Sequence, residues 1–216
     1  PEHWEDFYNA TQEGQRKGLR VSMRATHAGL VNDNGKFYIP SRMADGVSSF
    51  RTGEKPTKML KHHDTHSDPV GLIRSARFVP TIPGDLERNP DVINLMSSSS
   101  PIKSQLKSIK NLWKAGVLNR DGWQGLGYIE LIADILDKDT IEKVLDHRLD
   151  AVSTHFISPG AAYCLVCGQN WAADGFCEHE PYNMYSDSDD EDFKLPAIPI
   201  AGRHKYLEAS FVTLAG

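Results

Sequence analysis

An α+β domain is what this sequence predicts, and three observations carry the expectation. Strand-like runs rich in β-branched and aromatic residues are scattered along the whole length. Two stretches have an amphipathic helical period. Strands and helices do not alternate as a regular βαβ array requires. With 216 residues there is room for one well-filled core plus an insertion, or for two small domains.

Residues 3–17 (HWEDFYNATQEGQRK) are polar with scattered aromatics and read as an arm or short helix, so the first unit is placed at 1–18 and the main domain at 19–216. Two strand-like runs follow in LRVSMRATHAGLVNDNGKFYIP, separated by Asn34-Gly35, the dipeptide of a tight hairpin turn. PVGLIRSARFV is a further strand, and residues 82–101, rich in Pro and Ser, are expected as an exposed loop. SQLKSIKNLWKAG puts Leu106, Ile109, Leu112 and Trp113 on one helical face, with Gly116 as its stop. GYIELIADIL is read as a buried strand because a fresh helix start follows it at Asp139. There Glu142 completes a capping box and Ile141, Val144 and Leu145 share a face. LDAVSTHFI and HKYLEASFVTL are strands by composition. Between them SDSDDED, 186–192, is an acidic run expected to stay solvated as a mobile loop over 184–195.

Net charge is −5 and no long basic run occurs, which argues against a nucleic-acid groove. No apolar run approaches the roughly 18 residues of a membrane span, and no secretory leader opens the chain. Pro1 in place of Met implies a trimmed start. The three cysteines, an odd number confined to positions 164–177, suit a reducing compartment, the cytoplasm, rather than a disulfide framework.

Those cysteines lie in CLVCGQNWAADGFCEH. Cys164 and Cys167 form a C-x2-C knuckle that bends two thiolates toward one ion, and Gly168 permits the tight turn. Cys177 and His179 complete four ligands of the kind tetrahedral Zn²⁺ prefers. A full set of four leaves no position for water, so the expected metal is structural, held in an insertion over 160–183. The competing reading is three buried thiols and an unrelated surface histidine.

Two further features invite a chemical reading. KHHDTHSDPVGLI gathers His62, His63 and His66 with Asp64 and Asp68. As a binuclear metal signature of the form H-x-H-x-D-H it fails, because Asp64 stands where the second histidine belongs. Ser153 sits inside a semi-buried strand, where a serine is ordinarily just a small polar residue. His27, His147 and His155 have no supporting pattern and are expected to be surface or structural.

Taken in order, His63-Asp64 leading into Val70-Gly71, the Val152-Ser153 strand, and Glu208-Ala209-Ser210-Phe211-Val212 resemble the prohead maturation proteases of tailed bacteriophages, relatives by fold of the herpesvirus capsid assembly protease. The resemblance spans roughly residues 20–213. The Cys-x2-Cys…Cys-x-His insertion is also similar to that of some phage members. Thr154-His155 depart from the Ile-Gly found after the serine in many members. The chain also stops at Gly216, where a Pro-Ala-Asn-like turn usually follows, implying truncation by self-cleavage or by design.

The resemblance implies a small, mostly antiparallel β-barrel surrounded by helices, and serine acyl transfer. Ser153 would be the nucleophile and His63 the general base, with Glu208 as third member and His204 the alternative, by analogy with herpesvirus enzymes that use a second histidine. Counted along a regular strand, 204 and 208 share a face. Backbone N–H groups, with Arg203 as a guess, would form the oxyanion hole. His62 and His66 would be bystanders at the entrance. Substrates would be scaffold and major capsid protein and the enzyme itself, cut inside the assembling prohead in the host cytoplasm by a self-associating protease, with no nucleic-acid or membrane partner. The competing readings are a non-enzymatic zinc-stabilised capsid-assembly protein and a metallohydrolase built on His62, His63 and His66.

Overall fold

The computed structural model describes residues 18–187 and 190–213, so the arm expected over 1–17 lies outside the described residues. In chain order the elements are β1 Leu19–Ala28, β2 Phe37–Tyr38, α1 Pro40–Gly46, β3 Lys58–Lys61, β4 Gly71–Pro80, α2 Pro90–Met96, α3 Ile102–Lys114 and β5 Gly127–Ile135. Then follow α4 Lys138–Leu145, β6 Ala151–Ile157, β7 Ala162–Cys164, α5 Trp171–Asp174, β8 Met184–Asp187, β9 Asp190–Pro196, β10 Pro199–Ala201 and β11 Lys205–Val212. The mixture is α+β, as expected.

A curled six-stranded sheet, ordered β1-β5-β4-β3-β11-β6, is the main layer. All its pairings are antiparallel except β3 with β11. Period-2 alternation drives this: Leu19, Val21 and Met23 of β1 and Ile129, Leu131, Ala133 and Ile135 of β5 all point into one core. The sheet stops short of a closed backbone barrel. Its edge strands β1 and β6 instead meet through side chains, Thr26 Oγ1 lying 2.5 Å from Thr154 Oγ1. Met43 of α1 and Val144 of α4 complete this first core.

A second core lies between α2, α3 and a small sheet ordered β2-β10-β7, where Leu95, Ile109, Leu112, Leu165, Ile198 and Ile200 are buried. The helices therefore do not ring the main sheet. The two that cross-pack, α2 and α3, serve this separate core.

Several sequence expectations are corrected. The 82–101 stretch is not a bare loop. Pro90 occupies the first turn of α2, the Asn89 side chain accepts from the N–H groups of Asp91 and Val92, and Val92 and Leu95 are fully buried. Helix α4 starts earlier than Asp139: Asp137 caps it, accepting from Thr140 N at 2.8 Å. The Asn34-Gly35 turn forms, with Gly35 at φ 67, but the strand after it pairs in parallel with β10. Across the turn itself the two sides meet antiparallel through an isolated bridge, Val31 to Phe37, and through Gly29 N–H to Tyr38 O and Asn32 N–H to Lys36 O, both at 2.9 Å.

The described part of the acidic run, 186–187 and 190–192, is structured as well. It contributes to the β8–β9 hairpin, and Asp187 is 1% exposed with Lys110 Nζ at 2.8 Å and Lys114 Nζ at 2.7 Å. Two lysines on one face of α3 supply the countercharge that lets the carboxylate be buried.

One irregularity matters most for the site. Tyr206 pairs with Phe156, but the next pair is Glu208 with His155, so Leu207 is an extra residue in β11. This bulge reverses the alternation. Tyr206 faces the core before it, Ala209 and Phe211 face the core after it, and Glu208 and Ser210 point to the other side.

Candidate functional site

At the end of β3 the chain reverses through Lys61–Asp64, closed by Asp64 N–H to Lys61 O at 3.0 Å. Both central residues are left-handed, His62 at φ 51 and His63 at φ 57. Non-glycine residues adopt this conformation at a cost of about 1–2 kcal/mol each, so something must hold the turn. β11 does so: His62 N–H donates to Phe211 O at 2.9 Å and His63 N–H to Ser210 Oγ at 3.2 Å. Downstream, the Asp64 carboxylate accepts the His66 N–H at 2.9 Å, which with other bonds from His66 and Ser67 holds its pKa below the usual range.

That turn places the His63 ring over the outward side of β11. His63 Nδ1 lies 2.5 Å from Glu208 Oε1, although 145 residues separate them. Glu208 is 6% exposed, and its second oxygen accepts the Ser210 hydroxyl at 2.7 Å. The carboxylate thus fixes the tautomer with the proton on Nδ1 and leaves Nε2 as the basic nitrogen. The His63 side chain is 38% exposed, so an outside molecule can reach it.

Across the β6–β11 ladder Ser153 lies directly opposite Ser210, and His155 opposite Glu208. Directly paired residues share a face, so Ser153, His155, Glu208 and Ser210 are all on one side of the sheet with His63. His155 Nδ1 is 3.9 Å from Glu208 Oε1, and the His63 and His155 rings meet edge to face with centroids 6.4 Å apart. Among the described residues the Ser153 hydroxyl makes no hydrogen bond, so it shares the face with His63 without being bonded to it.

His155, expected to be surface or structural, and Ser210, which had no role of its own, are the residues that sequence reasoning missed. The signal was present: each is two positions from a named candidate, and two positions is one strand period.

Other candidates lie elsewhere. His204, the alternative third member, is 2% exposed and packed among Tyr38, Phe156 and Tyr206, with ring centroids 5.0, 4.2 and 5.8 Å away. The even-spacing argument failed because the Leu207 bulge inverts the faces between 204 and 208. Burial pushes the His204 imidazole down from 6.5 to about 4 and drives the Tyr206 phenol well up. Arg203 is exposed and faces Asp45 at 3.8 Å, away from the site. His62 and His66 are exposed, and among the described residues they form no metal-binding group with His63. His27 lies near Tyr128, and His147 is exposed in a left-handed turn.

The described residues hold one group suited to a metal ion: Cys164, Cys167, Cys177 and His179, whose ligand atoms all lie within 4.8 Å of one another. Gly168, at φ 75, lets its N–H bond Cys164 O at 2.8 Å, while Cys164 N–H bonds Gln169 O at 2.9 Å. This is the narrow hairpin that turns two thiols toward one point.

The donor set fits an ion on two counts. The buried His179 Nδ1 has no hydrogen-bond partner, and the Trp171 indole N–H already donates to Cys177 Sγ at 3.0 Å, as it would to a thiolate. Burial above all, with Cys167 and Cys177 adding to it against the backbone bonds from Cys167 and Val166, pushes the Cys164 thiol up to about 12. At Cys177 burial also raises the thiol, but the Trp171 N–H and the His179 and Cys167 groups outweigh it and bring it to about 6. Among the described residues no helix is long and apolar enough to cross a membrane. Comparison with protein-family models, with curated proteins and with solved structures finds no match to this chain.

Proposed function

We propose that this protein is a serine endopeptidase of the prohead-protease type, with Ser153 as nucleophile, His63 as general base and Glu208 as the group that orients the base. What carries the reading is the His63 Nδ1 to Glu208 Oε1 hydrogen bond of 2.5 Å, made on the sheet face that Ser153 shares. An imidazole fixed through one nitrogen by a buried carboxylate is the arrangement that acyl-transfer enzymes use.

In this reaction His63 Nε2 takes the Ser153 proton as Oγ attacks a peptide carbonyl. It then returns that proton to the departing amine, leaving an acyl-serine. A water, deprotonated by the same nitrogen, hydrolyses the ester and restores the hydroxyl. The Glu208 carboxylate, bonded to Nδ1, faces the imidazolium that forms at each proton transfer. The expected substrates are scaffold and major capsid segments and the chain itself, within an assembling prohead. The fold would be that of the herpesvirus-type capsid protease, with Zn²⁺ as a structural ion in the Cys164, Cys167, Cys177 and His179 cluster.

The Ser153 hydroxyl, which makes no hydrogen bond among the described residues, favours one second reading, a non-enzymatic zinc-stabilised assembly protein that keeps the scaffold of the site. Incubation at assembly-like concentration with scaffold or capsid protein separates the two. Cleavage by wild type, its loss in Ser153→Ala, and labelling of Ser153 by a fluorophosphonate are expected. Equal cutting by both proteins, or none by either, rejects Ser153 as nucleophile.

A further inference from the structure

Ser210 is wholly buried and hydrogen-bonds both halves of the His63–Glu208 pair. Its Oγ donates to Glu208 Oε2 at 2.7 Å and accepts the His63 backbone N–H at 3.2 Å, while His63 Nδ1 reaches Glu208 Oε1 at 2.5 Å. These three bonds form a closed ring. The hydroxyl's single proton is committed to the carboxylate and its lone pair to the left-handed turn, so neither partner can rotate without breaking a bond that the other needs.

Each partner requires such a hold. His63 is in a backbone conformation that a β-substituted residue resists, with φ 57. A glutamate with 6% exposure and an unpaired oxygen would pay the full cost of desolvation. The parallel ladder fixes Ser210 itself, pairing it with Leu60 on one side, while Ser153 pairs with it on the other.

We infer that Ser210 is a positioning residue: it acts through His63 and Glu208 to keep the imidazole in register with position 153, and it touches no reacting atom. The inference rests on the proposed serine chemistry for its kinetic consequence but not for its structural one. The hydrogen-bond ring exists whether or not the protein cuts peptides.

The test therefore has two arms, both in full-length, metal-loaded protein whose folding is checked by thermal unfolding. In a Ser153→Ala background, which cannot cut itself, NMR follows the His63 Nδ1 proton and the exchange rate of the His63 amide. Ser210→Ala should move the Nδ1 proton upfield from its short-bond position and speed amide exchange at least tenfold. Ser210→Cys, near in size and a weak donor, should recover part of both. Glu208→Gln should move the Nδ1 proton without freeing the amide, because Ser210 Oγ still accepts it.

In the second arm Ser153 is intact. Ser210→Ala should lower kcat about tenfold to a hundredfold, the scale of a small displacement of a catalytic group, with KM changed less than twofold. Ser210→Cys should again restore part of the rate. An unchanged Nδ1 signal and amide in folded Ser210→Ala overturns the inference. So does a variant that loses the ring but keeps full kcat. If no variant cuts any substrate while the NMR arm behaves as stated, the ring stands and the protease reading falls.

Discussion

At the scale of single residues, what distinguishes this molecule is how it treats its histidines. His63 is partly open, aimed and hydrogen-bonded. His204 is sealed among three aromatic rings with no well-aligned hydrogen bond among the described residues. The sealed ring has a consequence for stability. Its pKa is about 4 in the folded protein against 6.5 ordinarily, so the fold holds it neutral while the unfolded chain takes up a proton as pH drops below about 6.5. The contribution is fully favourable above pH 6.5 and is lost progressively down to about pH 4, an effect on the order of 2–3 kcal/mol. Urea unfolding of wild type and His204→Phe at pH 7 and pH 5 measures it. Wild type should lose about 2 kcal/mol more than the variant on acidification, and parallel losses would refute it. The burial of His204 was not legible from the sequence, where it stood as the alternative to Glu208 on the same strand face. The signal that separates them is the extra residue between them, and a bulge leaves no mark in composition.

At the scale of elements, that bulge organises the site. Leu207 is the surplus residue, 42% exposed, and removing it restores plain alternation with Tyr206 inward, Glu208 outward, Ala209 inward and Ser210 outward. Deleting Leu207 should therefore leave the protein folded, with a melting temperature within a few degrees of wild type. Deleting Ala209 should turn Ser210 into the core and Phe211 out of it. That costs roughly 1.5–3 kcal/mol for the lost phenylalanine burial, plus the price of an unpaired buried hydroxyl. Thermal unfolding of the two deletions decides the matter, and equal damage from both would show that the bulge is needed for more than register.

Elements marked by their own local residues were readable: α3, by its helical period, and β4, β5, β6 and β11, by their β-branched and aromatic runs, lie where the sequence puts them. Those that depended on distant partners were not. α2 was hidden inside a Pro- and Ser-rich stretch, although Asn89-Pro90 is itself a cap-and-first-turn pair. The acidic hairpin looked unburiable because Lys110 and Lys114 lie more than 70 residues upstream of Asp187.

At the scale of the whole molecule, the two cores divide the labour. The first, inside the curled sheet, backs the His63–Glu208 pair. The second holds Cys164, and Lys110 of α3 ties it to the knuckle by donating to Val166 O at 2.7 Å. Metal removal should accordingly loosen one part and spare the other. Chelation of a protein carrying about one zinc should raise hydrogen exchange across 160–187 and along α3, leaving β1 and β5 protected, and Cys177→Ser should reproduce the pattern. Metal-free wild type with undiminished protection at 160–187 would remove the ion from the account.

The position of β11 carries a consequence for how the protein comes into being. It follows every other described strand in the sequence, yet it lies inside the sheet, between β3 and β6. During synthesis the ribosome releases β3 and β6 long before the strand that must slip between them. Until that last segment emerges, the imidazole has no carboxylate to lean on and its turn has nothing to hang from. A nascent chain thus lacks the hydrogen-bonded pair of residues 63 and 208 until translation has passed β11.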